Sequence, residues 1–164
     1  MKREVISAFV AAALIATGAS WAHEDQHGKE AAGKQAPMVE KPFGRTGDAK
    51  KAARTIRVDM SDQMRFSPAS ISVKEGETVK FVVKNSGKVM HEFVLGTMQD
   101  LKQHSELMKK HPGMEHDEPY MAHVAPGKIE TVVWQFTKTG EFHFGCLIPG
   151  HFEAGMVGKI AVGK

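Results

Sequence analysis

The stretch "FHFGCLIPGHFEAGMVGKIAV", residues 142–162, decides how this chain is read. It opens as an alternating strand, "EFHFGC" (141–146), and closes as a second one, "VGKIAV" (157–162). Between them Pro149-Gly150 forces a turn. The loop so defined follows Cys146, the single cysteine of the chain, and carries His151 and then Met156 at equal steps of five. A strand end, a loop and a strand start can converge on one small site.

Working outward, the texture from Thr55 onward is that of a β protein. "TIRVDM" (55–60) alternates. "SISVKEGETVKFVVKN" (70–85) reads as a strand, a turn at Glu75-Gly76 and a second strand. "HEFVLG" (91–96) and "KIETVVWQF" (128–136) complete the set. Short strands with Gly-rich turns at this spacing predict an all-β sandwich or Greek-key barrel. Phe81, Phe93, Trp134, Phe136 and Phe142 are core candidates, with one of Met60 and Met64. One segment departs from the pattern. "TMQDLKQHSELMKKHPG" (97–113) has Thr97 followed three later by Asp100, and ends before Pro112-Gly113, which predicts an inserted helix.

The N-terminal third reads differently. Lys2-Arg3, an apolar run from Ala8 to Ala16 and the small-x-small site Ser20-Trp21-Ala22 predict a cleavable export signal over residues 1–22. Residues 23–54 are polar and aperiodic, and are expected to form a flexible arm. The folded domain is then expected over 55–164. A net charge of +3 gives no nucleic-acid footprint. No apolar run is long enough to span a membrane, and no nucleophile triad or phosphate loop suggests an enzyme. In an oxidising exported compartment a lone Cys is a free thiol, an intermolecular partner or a metal ligand.

The residue types favour the metal. Thiolate and thioether are soft donors and imidazole is borderline; one Cys, two His and a long axial Met form the blue-copper set. Cys146, His151 and Met156 supply three of the four. A histidine from elsewhere must complete it, and His91, opening the strand "HEFVLG", is the best candidate. Zinc also takes Cys and His, but Met is a poor zinc ligand.

At this point "HEFVLG" (91–96) followed by "GEFHFGCLIPGHFEAGMVGKIAV" (140–162) resembles the cupredoxin family over residues 55–164. The resemblance implies a Greek-key β-sandwich with copper held by His91, Cys146 and His151 in the equatorial plane and Met156 on the axis. It also implies one-electron transfer with a redox partner such as a cytochrome or oxidase. The imidazole edge of His151 would be the exit, in a rim including Leu147, Pro149 and Phe152. The export signal, "KPFG" (41–44), "MRFSP" (64–68) and the helical insert resemble, more narrowly, periplasmic members associated with copper tolerance. Many members carry Asn or Ser after the first ligand histidine. Glu92 stands there instead, where it can accept backbone N–H bonds and would favour the more positive oxidised copper.

Soft side chains exceed what one site needs. The segment "HPGMEHDEPYMAH" (111–123) offers Met114, His116, Met121 and His123 as a candidate second copper site. On the helix, His104, Met108 and His111 share a face; Met108 is expected to pack inward with Leu101 while the histidines stay solvated. After signal cleavage His23, with His27 nearby, could chelate copper through its amine and imidazole. His143 has the opposite parity to Cys146 and is expected to lie off the site. A copper-handling protein without a dedicated electron-transfer partner is the alternative function, and a monomer is expected.

Overall fold

The computed structural model describes residues 37–111 and 116–164. Eleven strands and one α-helix follow in order: β1 (Glu40–Lys41), β2 (Gly44–Thr46), β3 (Arg54–Ser61), β4 (Arg65–Ser67), β5 (Ser70–Lys74), β6 (Thr78–Asn85), β7 (His91–Gly96), α1 (Met98–Lys110), β8 (Met121–Val124), β9 (Ile129–Gln135), β10 (Gly140–Gly145) and β11 (Val157–Gly163). They form two sheets, one ordered β1-β2-β9-β6-β3-β4 and the other β5-β11-β10-β7-β8. The β3–β6 and β5–β11 pairs are parallel and the rest antiparallel. This is the predicted all-β sandwich.

The strands form because their apolar residues alternate. In β5, Ile71 and Val73 point inward while Ser70, Ser72 and Lys74 are exposed. The core between the sheets is aromatic: Phe66, Phe81, Phe93, Phe136, Phe144 and Trp134 are all buried. Met60 is buried with them and Met64 is half-buried against them. Such T-shaped and tilted ring contacts as Phe66–Phe144 at 5.0 Å and Phe81–Phe93 at 5.3 Å fix the distance between layers.

Strand β7 is buried at every position, on both faces. One face joins the aromatic core through Phe93 and Leu95; on the other, Val94 packs with Leu101 and Met108 of α1, Met121 and Leu147. The helix starts as expected, with Thr97 and Asp100 forming a reciprocal capping box. Met108 packs inward beside Leu101, also as expected.

Five short elements were not foreseen. The expectation of a flexible polar arm over residues 23–54 is corrected over residues 40–51. There β1 and β2 form, β2 pairs with β9 through Arg45↔Gln135 and Thr46↔Trp134, and Ala49–Lys51 makes a 3-10 turn capped by Asp48. The cause is one side chain. Phe43 is 2% exposed and lies 5.2 Å from the Trp134 ring, 6.0 Å from Phe142 and 6.3 Å from Tyr120. Gly44, at φ 146°, lets the backbone run against Gln135 and Trp134, where a Cβ would collide with both. Residues 23–36, and the signal over 1–22, lie outside the described residues. Short strand β4 and strand β8 were also not among the strands expected; β8 sits in the segment singled out for its His and Met.

Candidate metal centre

The site is assembled by the sheet that contains β7, β10 and β11. The register sets Gly145 opposite Val94 of β7 and opposite Val157 of β11. The start of β7, the end of β10 and the start of β11 therefore meet at one end of the sandwich. His91 opens β7, Cys146 follows β10 and Met156 precedes β11. The loop between is closed by its own backbone. Cys146 N–H donates to Met156 O at 3.1 Å, Met156 N–H to His151 O at 3.1 Å and His151 N–H to Ile148 O at 2.9 Å. Gly155, at φ 87°, makes the reversal that delivers Met156.

This geometry brings the three nitrogen and sulfur donors together. Cys146 Sγ lies 3.3 Å from His151 Nδ1 and 4.0 Å from His91 Nδ1. The ligand atoms of all three residues fall within 4.8 Å of one another. The two imidazole rings are 5.0 Å apart, centroid to centroid. His91, Cys146 and Met156 are fully buried, and His151 is half-buried. Met156 packs in the same core cluster as Cys146.

The electrostatics suit a cation. Burial pushes the Cys146 thiol up to about 12, while N–H groups of Glu92 and Ile148 oppose the rise and the Glu92 carboxylate adds to it. His151 is held below the usual histidine value, first by burial and then by His91. A buried thiol beside two buried or half-buried imidazoles disfavours a bare thiolate and favours one shared with a positive ion. One thiolate, two imidazoles and an adjacent thioether, shielded from water, fit copper.

Glu92 does what its position suggested. Its carboxylate accepts the Leu147 N–H at 3.3 Å, joining β7 to the ligand loop, and its own N–H donates to Cys146 Sγ at 3.3 Å. It also pairs with His123 Nε2 at 3.1 Å, because β8 places His123 directly opposite Glu92. Burial raises the Glu92 carboxyl, and His123 opposes that rise.

Several supporting residues escaped the sequence reading. Asn85 is fully buried; it donates to Val89 O at 2.7 Å and Val124 O at 2.8 Å and accepts the Gly87 N–H at 2.8 Å. It shapes the loop that leads to His91. Glu153 accepts the Gly150 N–H at 2.9 Å and pairs with Lys109 of α1 at 2.7 Å, with the buried Ser105 hydroxyl donating at 3.3 Å. The helix thereby holds the ligand loop from outside. A polar residue ending an apolar strand, as in "KFVVKN" (80–85), was the available signal for Asn85.

The second set of candidates is divided. His116 Nε2 lies 2.8 Å from His104 Nε2, and the His116 and His123 rings are 6.4 Å apart. Met121 is buried in the apolar cluster under α1, with Val94, Leu101, Met108 and Leu147. Met114 lies outside the described residues, as do His23 and His27. The expectation that the helix histidines stay solvated is corrected for His104, which is half-buried because residue 116 folds back against α1; His111 is exposed. His143 is off the site, facing Glu141 at 3.5 Å.

A two-sheet β-sandwich with this donor set at one end defines a small copper protein. The sequence model for copper binding proteins of the plastocyanin/azurin family matches residues 52–163, and the chain belongs to that family. It is 55% identical to the copper-resistant cuproprotein CopI of Rubrivivax gelatinosus, over 92% of each chain. It is 37% identical to the protein of the same name from Pseudomonas aeruginosa, over 80% of this chain and 88% of that one. Among solved structures, auracyanin B matches the fold with a TM-score of 0.62 at 21% identity, over 74% of this chain and 97% of its own. An azurin from Methylomonas sp. strain J matches with a TM-score of 0.55 at 21% identity, over 69% of this chain and 100% of its own.

Proposed function

We propose that this chain is an exported, non-enzymatic copper protein that cycles copper between Cu(I) and Cu(II) by one-electron transfer in the service of copper tolerance. His91, Cys146, His151 and Met156 would hold the copper. The observation that carries the reading is the approach of the His91, Cys146 and His151 ligand atoms to within 4.8 Å of one another. The relatives named copper-resistant cuproprotein support the tolerance context.

Copper bound there supplies a one-electron couple. The chain's part is to keep the donors in place and dry. His91 and Met156 sit on strand ends, Cys146 accepts the Glu92 N–H, and Glu92 and Glu153 brace the loop. A frame that does not rearrange lowers the cost of electron exchange. Half-buried His151 gives the imidazole edge through which a cytochrome or oxidase would exchange electrons. The signal over residues 1–22 would direct the protein to the periplasm.

A second reading, copper sequestration through an additional site, is favoured by the approach of His104, His116 and His123. Those three histidines make a more open set of borderline donors; Met121 packs inward. Counting copper on the purified mature protein separates the two. One copper with an intense thiolate-to-copper visible band, lost in Cys146→Ser, is expected for the first reading. A further copper lost in His116→Ala/His123→Ala supports handling. Absence of the band overturns the four-residue site.

A further inference from the structure

Outside the ligands, one carboxylate makes a contact that the copper-site reading does not use. Asp62 sits in the turn between β3 and β4, far from His91 in sequence. Its Oδ1 lies 3.3 Å from His91 Nε2, the ring nitrogen opposite the one that faces Cys146. The same carboxylate accepts the Lys88 N–H at 2.8 Å and the Val89 N–H at 3.4 Å. His91 is fully buried, whereas the Asp62 side chain is 38% exposed. Gly87 passes so close that a Cβ there would collide with the Asp62 carboxylate.

We propose that Asp62 is a positioning residue for His91, fixing its tautomer and setting the balance between oxidised and reduced copper. The proposal rests on His91 being a ligand. A neutral imidazole carries one ring proton. Donated from Nε2 to Asp62, that proton leaves the Nδ1 lone pair directed at the site, where Cys146 Sγ stands 4.0 Å away. Carboxylates that hold the far nitrogen of a ligand histidine orient the ring and raise its basicity. The negative charge one ring away also favours the more positive copper state. Partial exposure screens this effect, so a change of about tenfold in the Cu(II)/Cu(I) ratio is the expected scale. Asp62 reaches the site from the β3–β4 turn of the sheet that contributes no ligand. The contact therefore also ties the two layers together at the copper end.

The test uses the mature chain with Asp62→Asn, Asp62→Glu and Asp62→Ala. In the metal-free protein, long-range nitrogen–proton spectra of the His91 ring are expected to show the Nε2–H tautomer, and Asp62→Ala is expected to lose it. In the copper-loaded protein, titration against a redox dye is expected to show Asp62→Asn shifted about tenfold toward Cu(I), which is ~59 mV for one electron. Asp62→Glu is expected to recover most of the shift. An unchanged tautomer in Asp62→Ala, or a copper ratio within twofold of the parent in Asp62→Asn, overturns the proposal. If Asp62→Ala does not fold, the copper ratio in Asp62→Asn and its recovery in Asp62→Glu still decide the proposal. His91→Ala tests the ligand reading separately: a retained thiolate-to-copper band sinks that reading, while the His91 tautomer of the metal-free parent chain still measures the Asp62 contact.

Discussion

At the scale of single residues, the site depends on how each donor is held. Cys146 has no exposure, and its thiol is pushed up to about 12 by burial, so it behaves as a small hydrophobe until a cation arrives. His151 differs because its ring is half-buried. His151→Gly is expected to open a coordination position that added imidazole refills. The visible band should weaken and return with millimolar imidazole, and electron exchange with a protein partner should slow about tenfold. Unchanged exchange would rule out the His151 edge as the exit. Asn85 acts through the backbone. Asn85→Ala removes donors from the Val89 and Val124 carbonyls and the acceptor of the Gly87 N–H. It is expected to cost about 3 kcal/mol, read as a lower urea midpoint of the metal-free protein. A loss under 1 kcal/mol would mean that water replaces those bonds. The four candidate donors were readable because residue type and spacing carry coordination chemistry. Asn85, Asp62 and Glu153 were not, because their roles are defined by partners distant in the chain or by backbone groups that any sequence supplies.

Among the elements, β7 and the β10–β11 hairpin matter most, since between them they carry all four candidate donors. Their register decides that the donors meet, and a slip of one residue would send Phe142 and Phe144 to the opposite face. Lys159 of β11 pairs with Glu141 of β10 on the exposed face of this hairpin. The Glu141 carboxyl is held below its ordinary value, chiefly by that hydrogen bond. The folded value is the lower one, so the pair's contribution is present above the ordinary carboxylate range and is lost as pH falls through the folded value. Glu141→Gln is expected to be slightly less stable than the parent at pH 7, with the difference vanishing in acid. A pH-independent gap in denaturation midpoints would assign the effect to packing instead. Helix α1 was legible in its capping pair and its Met108–Leu101 face, but its task was not. It covers the outer face of β7 and pairs with Glu153 of the ligand loop, which no local pattern announces.

For the molecule as a whole, the two layers are closed at their N-terminal edge by β1, β2 and Phe43. Phe43→Ala is expected to cost about 4 kcal/mol, because it leaves Trp134, Tyr120 and Phe142 around an empty space. Calorimetry or denaturant unfolding checks this; a loss below 1 kcal/mol would make the strap dispensable. Its composition is otherwise polar, and a single aromatic is too weak a signal in such a stretch to predict docking. The sequence alone determined the longer strands from Thr55 onward, the inserted helix and the four candidate donors, since alternation, capping and ligand type are local properties written in neighbouring residues. Only the tertiary structure decided that residues 40–46 join the sheet, that β8 sets His123 against Glu92, and that Asp62 reaches His91. Each of those depends on which surfaces are left to cover once the layers have packed, and that is a property of the assembled chain.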